Sequence, residues 1–312
     1  WGTGWGVTSG ELGAFVFLVN MLVTPITSLG ETLDQTQTAL AGWWKILNVL
    51  DTEVEVAEPS PGVARPLPQG ALAVEARGVE FSYRGSDRVL HGVDVELDAG
   101  SSVAVVGETG SGKTTFAMLL ARLADPTAGQ VMLGGVDLRM VSADDRRRSV
   151  RMVPQDGFLF DTTVGANIRF GRRDSTEADV QAAVDELGLC TWVAGLPAGL
   201  DTRVGERGSS LSVGERQLVA LLRAQLADPG LLILDEATSA VDPDTEQTLE
   251  RALEHLAEGR TTVSVAHRLS TAERSDLVLV FDRGRIVENG SHAELAEAGG
   301  TYAALYESWL GN

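Results

Sequence analysis

Ser102-Val103-Ala104-Val105-Val106 runs directly into Gly107-Glu108-Thr109-Gly110-Ser111-Gly112-Lys113-Thr114-Thr115, and the reading of this stretch decides the fold. The first five residues are small or β-branched and make a short buried strand. Gly107 to Thr114 fits the pattern G-x-x-x-x-G-K-[ST], and residues of helical composition follow. The glycines let successive backbone N–H groups turn inward around an anion with no Cβ in the way. Lys113 reaches the outer phosphates, and the Thr114 hydroxyl offers an oxygen ligand to Mg²⁺. The helix that follows aims its N-terminus at the same charge. Strand, loop and helix in this order predict a phosphate cradle.

Working outward, apolar runs at Val103–Val106, Leu231–Leu234, Thr262–Ala266 and Leu277–Phe281 alternate with helical stretches. That alternation predicts a largely parallel sheet. Val79-Glu80-Phe81-Ser82-Tyr83 alternates apolar and polar residues, as a half-exposed strand does. Leu231-Leu232-Ile233-Leu234-Asp235-Glu236 is a buried strand ending in two acids. Downstream of a phosphate loop, Asp235 is placed to meet the water shell of Mg²⁺, and Glu236 to orient and deprotonate an attacking water.

From about Val74 to Leu310 the chain resembles the nucleotide-binding domain of an ATP-binding cassette (ABC) transporter. The resemblance implies an α/β fold, a P-loop NTPase cassette. In it a mixed sheet is flanked by helices, with an antiparallel β subdomain and an α-helical subdomain. It implies ATP and Mg²⁺ as ligands, with Tyr83 stacked on adenine and Gly107, Glu108, Thr109, Gly110, Ser111, Gly112, Lys113, Thr114 and Thr115 around the phosphates. Gln155 matches the Q-loop glutamine, which contacts Mg²⁺ and the membrane domain, so Thr114, Gln155 and Asp235 would manage the metal. Leu211-Ser212-Val213-Gly214-Glu215 matches the signature motif, and Ser212, Gly214 and Glu215 would act on a partner chain's ATP. Asp242 matches the D-loop and His267 the switch histidine, so Lys113, Glu236 and His267 form the expected catalytic set. Singly, each has a plainer reading. Tyr83 could be an ordinary strand aromatic, Gln155 a loop residue, Ser212 and Asp242 helix caps, and His267 structural. Their order and spacing together carry the resemblance. The departure is Val213 and Glu215, where the family's usual signature has glycine and glutamine; the glutamate is expected to add negative charge near the partner's nucleotide.

Thr8 and Glu11 have the spacing of a capping box. Beyond them Phe15, Leu18, Leu22, Ile26, Leu29 and Leu33 recur on one helical face, and Asn20, Thr24, Thr27, Glu31, Asp34 and Thr38 on another. No charge lies between Leu12 and Leu29, close to the ~20 residues that cross a bilayer. Pro25 is expected to kink this helix without ending it. Two readings stand on these residues: a long amphipathic helix packed on soluble protein, or a membrane-spanning helix with a polar stripe. The segment Val7–Leu50 is similar to the last transmembrane helix of exporter-type half-transporters, and Thr202–Gly208 to an exporter-associated loop near the signature. Four prolines between Glu58 and Gly70 predict an extended linker. The expected organisation is 1–57 as the end of a transmembrane domain, 58–71 as linker and 72–312 as the cassette.

The net charge of −19 argues against a general nucleic-acid binder. Cys190, the only cysteine, excludes an internal disulfide or a zinc cluster, and a buried or neutral thiol is expected. A start at Trp1 without a signal-peptide pattern predicts a piece of something longer. By resemblance the partners are a second half-transporter, in a homo- or heterodimer, a transported small molecule or lipid, and a membrane. The implied place is the inner or plasma membrane with the cassette on the cytoplasmic side. A soluble cassette ATPase and a weakly catalytic, regulatory half of a heterodimer are the alternatives.

Overall fold

The computed structural model describes residues 6–52, 54–60, 62–154, 157–235, 243–266 and 269–310. The chain divides into two compact units, Trp1–Val54 and Glu55–Asn312. The division falls slightly before the expected boundary at 57/58 for a visible reason. The Ala57 carbonyl accepts a 2.6 Å hydrogen bond from buried Arg122, and the Glu58 carboxylate accepts from the Ala143 N–H at 2.8 Å and from Arg146 at 3.0 Å. The start of the linker is therefore tied into the second unit.

Among the described residues the first unit holds one helix, α1 (Ser9–Leu50), unbroken through Pro25. Thr8 and Glu11 close the expected capping box. None of its side chains is buried, and it is long and apolar enough to cross a membrane. Its polar stripe bonds to its own backbone. Asn20 donates to the Val16 carbonyl at 3.0 Å, Thr24 to Asn20 at 3.3 Å and Thr27 to Thr24 at 2.8 Å. These side chains thus satisfy themselves locally without water.

The second unit contains two sheets. The antiparallel one holds β1 (Val74–Ser82), β2 (Arg88–Leu97), β4 (Ala128–Leu133) and β5 (Val136–Asp137) in the order β2-β1-β4-β5. The other holds β3 (Ser102–Gly107), β6 (Val150–Val153), β7 (Leu231–Asp235), β8 (Thr261–Val265), β9 (Leu277–Asp282) and β10 (Arg285–Gly290) in the order β10-β9-β3-β8-β7-β6. Only β10 runs antiparallel to its neighbour there. The helices are α2 (Lys113–Leu120), α3 (Ala143–Ser149), α4 (Val164–Arg169), α5 (Glu177–Glu186), α6 (Cys190–Gly195), α7 (Val213–Ala227), α8 (Pro243–Ala257), α9 (Leu269–Arg274), α10 (His292–Glu297) and α11 (Thr301–Leu310). Of the buried or neutral thiol expected at Cys190, the structure shows an exposed one. Its S–H donates to Asp185 at 3.0 Å, and that carboxylate holds the thiol neutral by raising its pKa.

The apolar runs are buried on both faces of the parallel strands, and alternate residues feed different cores. Val103, Val105, Leu279 and Phe281 point into a core shared with α2 and the antiparallel sheet. Ala104, Val106, Val278 and Val280 point the other way, towards Tyr302 of α11. Leu232 and Leu234 of β7 join a third core with α4, α5, α7 and α8. The phosphate-loop helix α2 is thereby clamped between two sheets. Phe116, fully buried, lies 5.3 Å from the ring of Phe281. Phe116→Ala is expected to destabilise the second unit by about 3–5 kcal/mol, the cost of truncating a buried phenylalanine. Urea denaturation should show a lower midpoint at an unchanged slope.

Candidate functional site

The loop between β3 and α2 follows from two backbone requirements. Gly107 sits at φ 145, and a Cβ there would stand 2.1 Å from the Phe281 carbonyl oxygen on the neighbouring strand β9. Gly112, the N-cap of α2, is left-handed at φ 104 and brings no side-chain cap. The first N–H groups of α2 are therefore left for an anion. The turn between β9 and β10 braces the loop, with the Gly284 N–H donating to the Ser111 carbonyl at 2.9 Å. The Ser111 hydroxyl is buried and has no partner among the described residues. Lys113 is also buried, and its ammonium donates to the loop's own carbonyls, Gly107 at 2.7 Å and Glu108 at 2.8 Å. Burial lowers the Lys113 pKa, and the charge of Asp235 opposes that shift. A phosphate would give the ammonium an ionic partner in place of neutral carbonyls and would satisfy the Ser111 hydroxyl. The cradle fits a phosphate group.

Parallel strands β3, β8, β7 and β6 deliver their C-terminal ends to one edge of the sheet. Asp235 closes β7, half-buried and in Coulombic reach of Lys113. Thr114 is exposed in the first turn of α2. A threonine hydroxyl and a carboxylate are hard oxygen donors of the kind Mg²⁺ takes when phosphate and water complete its shell. Tyr83 follows β1, and the structure brings it to α2. Its ring meets Phe81 edge-on at 4.9 Å, and its hydroxyl shares a 3.1 Å hydrogen bond with the Thr115 hydroxyl. Thr115 is thus buried against Tyr83, while the Tyr83 ring remains exposed. Gln155, Glu236, Asp242 and His267 lie outside the described residues.

Ser212, Gly214 and Glu215 head α7, which is built on the core away from α2. Ser212 caps this helix, accepting from the Glu215 N–H at 3.2 Å, and Glu215 reciprocates by accepting from the Ser212 N–H at 2.8 Å. The Trp192 indole N–H adds a 3.4 Å bond to the other Glu215 oxygen. The glutamate's charge is therefore folded back on the start of its own helix, where the helix dipole favours it. The Ser212–Glu215 spacing held a signal for this, but Trp192 had none. Phe281 and Gly284, which wall and brace the phosphate loop, were likewise missed, because nothing local links them to a loop so far back in the chain.

The stretch after Pro154 presents Phe158, Phe160 and Phe170, all exposed, with ring centroids 5.1 Å and 4.4 Å apart in sequence. The half-buried Arg223, its guanidinium 5.9 Å from the Phe170 ring centroid, donates to the Phe158 carbonyl at 2.7 Å and to the Asn167 side chain at 2.6 Å. Burial pushes the Arg223 pKa down to about 10.

Residues 90–239 match the family described as ABC transporter. The chain is 39% identical over 97% of its length to an ATM1-type heavy metal exporter of Novosphingobium aromaticivorans, and spans 50% of that protein. It is 40% identical over 96% of its length to an ATP-dependent lipid A-core flippase of Chromobacterium violaceum, and spans 51% of it. Among solved structures it resembles a bacterial Atm1-family ABC exporter with ATP bound, at a TM-score of 0.79 and 38% identity, over 97% of this chain and 53% of that one. The chain spans about half the length of the curated relatives it matches.

Gly107→Ala is expected to spoil the loop with little help from relaxation, since the colliding atom is backbone of a buried strand. Binding of a fluorescent nucleotide should fall at least about tenfold, a loss of about 1.4 kcal/mol or more.

Proposed function

The chain belongs to the ABC transporter family, and on that premise we propose that it binds ATP with Mg²⁺ in the Gly107–Thr115 loop and hydrolyses it as one half of a cassette dimer, driving a substrate across a membrane. The observation that carries this reading is the loop itself. An unpartnered buried hydroxyl among the described residues, an ammonium bonded to two loop carbonyls and a helix N-terminus without a side-chain cap lie within one loop, with Asp235 in Coulombic reach of the ammonium. In this reading Tyr83 stacks on adenine, and Lys113 holds the β- and γ-phosphates. Thr114, Gln155 and Asp235 hold Mg²⁺, which neutralises phosphate charge when bound. Glu236 takes the proton of the attacking water, and His267 keeps it in line with the γ-phosphate. Positioning and electrostatic stabilisation of a loose phosphoryl-transfer state then supply the rate.

Ser212 and Gly214 act on the ATP of a second chain, homologous or identical. The separation of α7 and α2 into different cores supports a site shared across two chains. With its carboxylate bound to its own helix, Glu215 is compatible with a working signature. The exposed apolar length of α1 supports a membrane-spanning segment, and the exporter relatives support an inner or plasma membrane with the cassette in the cytoplasm. A small molecule or lipid is the substrate class, in line with the relatives.

Glu236→Gln should keep ATP binding, trap an ATP-dependent dimer visible by size-exclusion chromatography, and lower turnover about 10²–10⁴-fold. Turnover within a few-fold of normal would overturn the assignment of Glu236. Lys113→Ala should remove tight nucleotide binding, measured by calorimetry. An unchanged affinity there would contradict the cradle.

A further inference from the structure

Against a net charge of −19, residues 146–173 hold seven arginines and two aspartates. Arg147, Arg148, Arg151, Arg172 and Arg173 line an open cleft of about 1080 Å³ alongside the edge strand β6. The linker segment from Pro66 to Gly70 forms another wall. The cleft lies at the start of β6, whereas the phosphate loop lies at the opposite, C-terminal edge of the parallel strands. It is a separate place in the fold.

Most carboxylates at the cleft are already committed. Asp144 pairs with Arg147 at 3.0 Å, Asp145 with Arg148 at 2.8 Å and Asp228 with Arg260 at 2.9 Å. Asp174 stands exposed at the rim. Arg172 pairs with Asp179 at 3.0 Å, outside the lining. Arg151 and Arg173 have no carboxylate within ion-pair distance among the described residues. Arg173 is exposed, whereas Arg151 is half-buried. One Arg151 nitrogen donates to the Gly171 carbonyl at 2.5 Å, and its Nε is buried without a partner among the described residues. Burial and the neighbouring charge of Arg147 both lower the Arg151 pKa. A guanidinium held in this way, next to a like charge, lacks the anion that normally offsets its desolvation. Its planar fork matches the oxygens of a phosphate. The exposed ion pairs on α3 are weak enough to open for a multiply charged ligand.

We propose that this cleft binds an anion carrying two or more phosphate groups, with Arg151 and Arg173 as its principal ligands. Such an anion is either a free oligophosphate solute or the headgroup of a diphosphate lipid. The site is independent of the ATP reading, and the two are tested apart by working in a Lys113→Ala background, where the phosphate loop no longer contributes.

The thermal midpoint of the full chain in detergent is measured against sodium tripolyphosphate. In parallel, the midpoint in phosphatidylcholine nanodiscs is compared with that in nanodiscs containing cardiolipin. A rise in midpoint with tripolyphosphate supports a free solute, and a rise with cardiolipin alone supports a lipid headgroup. In either case Arg151→Gln and, separately, Arg173→Glu should weaken the response at least tenfold in ligand concentration. Arg173 is exposed, so its variant keeps the test valid if Arg151→Gln fails to fold. No response to either probe overturns the proposal, and so does a response of equal size in Arg173→Glu.

Discussion

The close approach of Gly107 to the Phe281 carbonyl is the constraint from which the rest of the site follows. Strands β3 and β9 pair in parallel up to this point, and β3 must then leave the sheet in a turn that admits no Cβ. That exit sets where α2 begins, and with it the direction of the N–H groups, Lys113 and Thr114. The helix can hold this position because Phe116 and Phe281 pack together beneath it and two sheets close over it. The loop's geometry and the packing of the core therefore share residues. The loop's geometry is a property of β9 as much as of its own glycines.

A second consequence concerns the division of labour between cores. The loop rests on the core shared by the two sheets, and the signature residues rest on the helical core around α7. A capping box locks Ser212 to Glu215, and Trp192 from α6 holds the same carboxylate. The start of α7 is thus rigid in itself and bound to its own subdomain. The loop and the start of α7 are thus held by separate cores of this chain.

Charge is distributed with similar economy. The chain is strongly acidic, yet seven arginines gather between residues 146 and 173, and five of them face an open cleft. Arg223 shows the satisfied kind. It is half-buried beside the exposed Phe170 ring, with its guanidinium on the Phe158 carbonyl and on Asn167. Arg151 shows the other kind, with a buried nitrogen that has no partner among the described residues.

Local chemistry was readable from the chain alone. The glycine spacing before Lys113, the apolar strand ending at Asp235 and the Thr8–Glu11 cap each depend on residues a few positions apart, and each sits in the structure as expected. The antiparallel sheet and the helical subdomain, which the family resemblance implied, are there too. What the sequence could not determine was anything set by residues distant along the chain. Phe281 walls the loop and Gly284 braces it; Thr115 bonds to Tyr83, and Trp192 holds Glu215. Glutamate at the signature reads as added charge until the folded chain shows its oxygens occupied. The physical reason is the same throughout: short-range pattern sets which backbone conformations are allowed, while long-range packing decides which side chains find a partner.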